Sequence, residues 1–262
     1  MKLACIQMDI AFGDPEANFQ KVRGYLEEAA ANGADTIVLP EMWNTGYALT
    51  ELEALADGTK RTEKFLADFA KKHKVNIVGG SVSTQKGQGF YNTMYVADKV
   101  GEVVAEYDKA HRFGLMDEHI HLEEGEALGI FSLEETQCGG VICYDIRFPE
   151  WIRALALNGA KVIFVPAEWP LARIDHWRIL LQARAIENQC FIVAVNRIGK
   201  DPKNEFGGST MIIAPWGEIR LDMAMQEGIG YAEIDLSEVE EVRKRIPVFE
   251  DRREPLYEKY KS

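Results

Sequence analysis

Short apolar runs alternate along this chain with amphipathic stretches, and most runs end at Gly, Pro, Asn or a charged residue. LACIQMDI alternates like a strand, and ANFQKVRGYLEEAAANG carries a helical pattern that opens near Asn18 and closes at Asn32 and Gly33. ADTIVLP predicts a second strand ending at Glu41. TEKFLADFAKKHKV predicts an amphipathic helix and NIVGGSV a strand. YNTMYVAD and GEVVAEYDK pair as a hairpin through Lys99 to Gly101, and the second of them ends at Lys109. An irregular segment rich in His and Glu follows, and GGVICY then predicts a short buried strand ending at Cys143. FPEWIRALALNG reads as a helix with Pro149 in its first turn and Asn158 and Gly159 as its stop. KVIFVP and CFIVAVN are strands separated by the helix DHWRILLQARAIENQ. STMIIAP and EIRLDM flank a turn at Trp216 and Gly217, GIGYAEID adds a strand, and SEVEEVRKRIP is a late helix stopped by Pro247.

Strand-helix-strand units mixed with hairpins predict an α/β fold built on mixed sheets, which excludes a purely parallel doubly wound sheet and a regular eight-fold barrel. No repeat, low-complexity tract or linker divides the chain, so residues 1–262 read as one domain. With 47% hydrophobic residues, 262 positions suffice for a large core. The net charge of −12 argues against nucleic acid and against an anionic membrane, since both call for clustered Lys and Arg. No stretch approaches the roughly 18 apolar residues of a spanning helix, and the N-terminus lacks a signal-peptide pattern, which together predict a cytoplasmic protein. Cys5, Cys138, Cys143 and Cys190 lack zinc-like spacing, and a reducing compartment disfavours disulfides, so each is core filler or reactive.

Three reactive residues each follow an apolar strand: Glu41 after TIVLP, Lys109 after VVAEYD and Cys143 after GVI. In α/β folds ligands gather beyond the carboxyl ends of strands, so three such ends can share one pocket. Singly, each has a plainer explanation: a solvated carboxylate, a surface lysine and a packed thiol. Cys143 differs from the other cysteines in its place at a strand-to-helix turn, where backbone N–H groups favour a thiolate or an oxyanion.

The fragments VLPEMWNTGY, YDKAHRF and VICYDIRFPEW, in that order, resemble the Glu, Lys and Cys motifs of the nitrilase-like carbon-nitrogen hydrolase superfamily. AEWPLARIDHWRILLQARAIENQCFIVAVNRIG and GGSTMIIAPWGE resemble the rest of its pattern, so the likeness spans nearly the whole chain. DEHIHLEEG, and EWP with DHW, look most like the omega-amidase branch, which removes ammonia from 2-oxo acid carboxamides such as 2-oxoglutaramate. The resemblance implies a four-layer α-β-β-α sandwich with two mixed β-sheets, a homodimer or higher homo-oligomer, and a Glu-Lys-Cys triad that needs no cofactor or metal. The family often carries a second glutamate in a Phe-x-Glu-Ser context; Glu118 stands seven residues before Gly125 as that glutamate does, but inside Met-Asp-Glu-His, which leaves its role open.

An amidase must activate a nucleophile, stabilise an oxyanion and protonate the departing nitrogen. The residues imply that Glu41 takes the Cys143 proton and passes it to ammonia. Lys109 and the Tyr144 N–H would hold the oxyanion, and Glu118 would orient water or the amide. Lys109 would lower the thiol pKa while nearby carboxylates raise it, so the balance depends on geometry. A substrate with a far carboxylate needs a fixed cation, for which Arg173 is the first candidate. Arg147 is a weaker one, read as an ion pair with Glu150 that braces the turn. Trp169 and Phe113 are candidate pocket walls. The rivals are a Cys-His hydrolase based on His111, His119, His121 or His176, a metal site at His111, His119, His121 and Glu118, nitrile rather than amide hydrolysis, and a non-catalytic binding protein on the same fold. The apolar helices WIRALAL and WRILLQARAI are candidate subunit contacts, or internal packing.

Overall fold

A computed structural model of the chain describes residues 1–260, so the last two positions of the expected 1–262 domain lie outside the described residues. One mixed sheet is built from β1 (Lys2–Gln7), β2 (Thr36–Val38), β3 (Asn76–Val78), β4 (Val82–Lys86), β5 (Gly89–Ala97) and β6 (Val103–Asp108). A second contains β7 (Ile130–Leu133), β8 (Thr136–Gly140), β9 (Val162–Ala167) and β10 (Phe191–Asn196). β11 (Ile198–Lys200) and β12 (Glu205–Gly207) form a separate ribbon. β13 (Met211–Ile213) and β14 (Ile219–Asp222) extend the second sheet, and β15 (Gly228–Glu233) returns to edge the first beside β1. The first sheet runs β15-β1-β2-β3-β5-β4 with β6 on the other side of β5; the second runs β14-β13-β10-β9-β8-β7. In each, a parallel centre (β1-β2-β3; β8-β9-β10) is flanked by antiparallel strands.

The helices are α1 (Pro15–Ala31), α2 (Leu52–Leu55), α3 (Arg61–His73), α4 (Glu118–His121), α5 (Pro149–Leu157), α6 (Ile174–Asn188), α7 (Ser237–Arg245) and α8 (Glu254–Glu258). Strand pleating assigns their layers. Leu3, Cys5, Val38, Val78, Met94 and Val96 point into one core shared with the second sheet. Ala4, Ile6, Ile37, Ile77 and Tyr95, their alternates, face Phe19, Val22 and Leu26 of α1 and Leu66 and Phe69 of α3. Successive glycines show the same division in β8. A Cβ on Gly139 would meet Leu155 of α5 at 3.1 Å, whereas one on Gly140 would meet Met94 of the first sheet at 2.1 Å. The order is therefore helices, sheet, sheet, helices, the four-layer α-β-β-α sandwich expected from the motifs. Gly140 also lets the strand that leads to Cys143 lie close against the hairpin that leads to Lys109.

Local chemistry explains most element boundaries and corrects several: β2 ends at Val38, short of Glu41, and the strand expected over NIVGGSV divides into β3 and β4. α1 begins at Pro15, not near Asn18, because Asp14 caps it by accepting the Ala17 N–H at 3.0 Å. Asn18 is instead fully buried, and its side chain ties Ala11 to Asn44, joining the loop after β1 to the loop after Glu41. The strand expected to end at Cys143 stops at Gly140, and Cys143–Arg147 is one 3₁₀ turn. Glycines rather than β-branched residues close that strand, and Ile142 stays extended before the turn begins at Cys143. α5 starts at Pro149 and ends at Asn158 and Gly159 as its pattern predicts. β7, α4, β11, β12 and α8 fall where no periodicity marks them, since each spans five residues or fewer.

Candidate active site

Glu41, Lys109, Glu118 and Cys143 meet in the space between the sheets' carboxyl ends. Glu41 lies three residues past β2, Lys109 directly follows β6, and Glu118 opens α4. Met42 beside Glu41 and Cys143 itself both adopt φ +46°, a left-handed conformation that costs an L-residue roughly 1–3 kcal/mol. One strained turn follows Glu41 and the other holds Cys143 itself. Cys143 is 6% exposed, Lys109 2%, and both glutamates 0%.

Lys109 Nζ donates to Glu41 Oε1 at 2.8 Å and to Glu118 Oε1 at 2.6 Å. Tyr47, whose hydroxyl lies 2.8 Å from Glu41 Oε1 and 2.6 Å from Glu118 Oε1, joins the two carboxyls. One hydroxyl carries one proton and cannot donate to both. Burial above all raises the Glu118 pKa, with Glu41 adding to it against the pull of Lys109. Tyr47 therefore serves one carboxyl at a time, while Lys109 donates to both. Burial works against the charge of Lys109, but Glu118 and Glu41 outweigh it and hold the ammonium well above its usual range. For Cys143 burial comes first and the charge of Glu41 second, so the thiol is pushed well above its ordinary value despite Lys109. The site thus holds a neutral thiol rather than a free thiolate.

Asp145, fully buried two residues after Cys143, braces the turn. Its Oδ2 accepts the Ile142 N–H at 2.9 Å and the Tyr107 hydroxyl at 2.7 Å, while Oδ1 accepts the His111 N–H at 3.0 Å and lies 2.7 Å from His111 Nδ1. The Cys143 turn is thereby fastened to the segment that follows Lys109.

A narrow cavity opens onto Cys143, lined also by Phe113, Met116, Tyr144, Arg147, Glu168, Trp169 and Arg173. Every residue expected to contact substrate is there. Arg173 lies over the Phe113 ring at 5.4 Å, and Arg147 over the Trp169 ring at 4.7 Å. Arg147 does not pair with Glu150, which points to solvent from the first turn of α5; it turns inward and meets His176 Nδ1 at 3.3 Å. Among the described residues neither arginine has a carboxylate partner. The histidine alternatives do not assemble. His111 is held by Asp145 and stacked on Phe148, His176 meets Arg147, and no group of three or more His, Cys, Asp or Glu gathers to hold a metal among the described residues.

A matching family model settles the class. The carbon-nitrogen hydrolase model covers residues 2–244. The chain belongs to the carbon-nitrogen hydrolase family. It is 52% identical over 256 residues to the 2-oxoglutaramate amidase of Bacillus subtilis (strain 168), covering 97% of this chain and 98% of that protein. It is also 38% identical to a hydrolase in the agr operon of Staphylococcus aureus, over 98% of this chain and all of that one. Among solved structures, the Xanthomonas campestris protein XC1258, a CN-hydrolase superfamily member with an arsenic adduct in its active site, superposes with a TM-score of 0.90 at 28% identity over 97% of each chain. This carbon-nitrogen hydrolase is an amidohydrolase. No helix among the described residues is long and apolar enough to cross a membrane.

Five polar residues of the site escaped the motif reading: Tyr47, Asn92, Asp145, Glu168 and Arg197. Asn92 donates to Glu41 Oε1 at 2.8 Å, and Arg197 Nη1 donates to Glu168 Oε2 at 2.7 Å. Glu168 carried a usable signal, because it follows the apolar strand VIFVPA just as Glu41 follows TIVLP.

Proposed function

We propose that this amidohydrolase cleaves the terminal carboxamide of a small 2-oxo acid, with 2-oxoglutaramate as the leading substrate, to a carboxylate and ammonia through a thioester on Cys143. The observation that carries this reading is a buried cluster of one ammonium and two carboxyls behind a thiol that lines a narrow cavity, with two arginines that lack a carboxylate partner at the cavity wall. Its substrate follows from the 52% identity to a 2-oxoglutaramate amidase and from those arginines, which suit a far carboxylate.

Glu41 removes the thiol proton as Sγ attacks the amide carbon, so the neutral thiol is activated only during attack. Two protons of Lys109 are committed to carboxyls, and the third, with the N–H of Tyr144, holds the oxyanion. When the C–N bond breaks, Glu41 returns the proton to nitrogen and ammonia leaves. Water then attacks the thioester, Glu41 takes its proton, and the acid is released as the thiol is restored. Glu118, fixed by Lys109, Tyr47 and the Phe113 N–H at 2.7 Å, positions Lys109 and the incoming water. Arg173 anchors the far carboxylate, with Arg147 in support, and Phe113 and Trp169 form the walls. Both sheets supply site residues, so the chain acts as one catalytic domain. We extend the proposal to a cytoplasmic homodimer: all four cysteines are unpaired, and Ile179 and Ile186 leave an apolar strip of α6 exposed, with Leu157 of α5 exposed as well.

Ammonia release is to be measured from 2-oxoglutaramate, 2-oxosuccinamate, glutamine, asparagine and a simple nitrile. The 2-oxo acid amides are expected to lead, and Cys143→Ala and Glu41→Gln to abolish turnover in folded protein. Robust turnover by either variant would refute the assigned roles.

A further inference from the structure

The two oxygens of Glu41 are not equivalent. Oε1 accepts from Lys109 Nζ, Tyr47 OH and Asn92 Nδ2, each at 2.8 Å, and has no capacity left. Among the described residues Oε2 accepts only the backbone N–H of Glu168, at 2.7 Å. The lone pair that takes the thiol proton and hands it to the leaving nitrogen therefore lies on Oε2. That places the nitrogen beside Glu168, on the side away from Lys109.

Glu168 is fully buried and lines the cavity with Cys143. Its Oε2 is held by Arg197, itself buried and fixed by Asp9 Oδ1 and Ile10 O, each at 3.0 Å. Its Oε1 is buried without any hydrogen-bond partner. A carboxyl oxygen in that state costs stability until a donor reaches it. A primary carboxamide brings two N–H groups to this spot; an ester or a nitrile brings none.

Resting on the function proposed above, we infer that Glu168 Oε1 accepts an N–H of the substrate carboxamide, holds the departing ammonia, and makes the site selective for primary amides. Glu168 makes no covalent bond in this role. The proton balance stays with Glu41, and Glu168 fixes the nitrogen so that its lone pair faces the Glu41 proton. Amides then gain a contact that esters of the same acid lack.

The test compares 2-oxoglutaramate with the terminal methyl ester of the same 2-oxo acid, in the native enzyme and in Glu168→Gln. The glutamine keeps an oxygen for Arg197 but turns a donor toward the substrate nitrogen. The amide-to-ester ratio of kcat/KM is expected to fall at least tenfold; a change under threefold, with both substrates slowed alike, would mean that Glu168 only braces Arg197 and overturns the inference. A second readout needs no variant. Burial raises the Glu168 pKa to about 8 against Arg197, with Glu41 and Asp201 adding to the rise; Asp9 acts through Arg197, and Cys143, Arg147 and Arg173 share the cavity. Groups common to both reactions cancel in the ratio, so it is expected to climb between about pH 6 and 9 as Oε1 loses its proton. A flat ratio in the native enzyme also overturns the inference. If the native enzyme releases no ammonia from the amide, the proposed function fails instead.

Discussion

Replacing Lys109 by methionine removes the ammonium shared by two fully buried carboxyls while keeping the length of the side chain. Glu41 and Glu118 cannot both carry charge at 0% exposure without it, so the pair must hold one more proton than in the native protein. An unfolded glutamate has a pKa of about 4.3, so holding that proton at pH 7 costs about 1.4 kcal/mol for each of roughly 2.7 pH units, or about 4 kcal/mol. This agrees with the ~3–5 kcal/mol typical of breaking a buried ion pair by deleting one partner. At about 2–4 °C per kcal/mol for a chain near this size, the midpoint of thermal unfolding is expected to drop by roughly 8–15 °C. The sign with pH follows from a carboxyl whose folded pKa lies above its unfolded value. The deficit vanishes below about pH 4 and grows by about 1.4 kcal/mol per pH unit above it, because the unfolded state releases the proton first. Urea denaturation of both proteins at pH 5, 6 and 7 measures it, with a gap of about 1 kcal/mol expected at pH 5. A gap independent of pH, or native stability at pH 7, would show that the carboxyls do not depend on Lys109 for their charge.

Asp145→Asn replaces one of two acceptors by an NH₂ group that faces N–H or O–H donors on either side, so kcat should fall at least tenfold by ammonia assay and stability by about 1.5–3 kcal/mol. Near-native kcat would show that the Cys143 turn holds its shape without this brace. Arg173→Glu should raise KM for 2-oxoglutaramate by roughly 10- to 150-fold, the range for losing a charge-assisted hydrogen bond, and that for a neutral amide far less. Equal increases would assign the far carboxylate elsewhere, with Arg147→Glu as the next measurement.

The order of strands and helices was legible because burial imposes periodicity. Cys5 and Val38 turn toward the second sheet, Ala4 and Ile37 toward the helices, and the alternation is written in the sequence. Glu41, Lys109 and Cys143 stood out only together, because a solvated carboxylate, a surface lysine or a packed thiol explains each one singly, whereas three such strand ends in ordered motifs point to one pocket. Boundaries set by single side chains were harder to read. Asn18 looks like a helix cap in sequence and is a buried tie between two loops, because its partners Ala11 and Asn44 come together only in the fold.

The polar residues that tune the site were hidden for a deeper reason. What matters about Asp145 is that Tyr107 and His111 reach it from over thirty residues away, and what matters about Glu168 is that Arg197 satisfies one oxygen and leaves the other bare. Neither property belongs to the residue itself. A buried carboxyl with all its acceptors filled is a brace, and one with an acceptor unfilled is open to a ligand that brings a donor. Asp145 and Glu168 are both 0% exposed, and each follows or adjoins an apolar strand. Only the count of donors around each oxygen separates them, and that count assigns Asp145 to holding the nucleophile's turn and Glu168 to meeting the substrate's nitrogen.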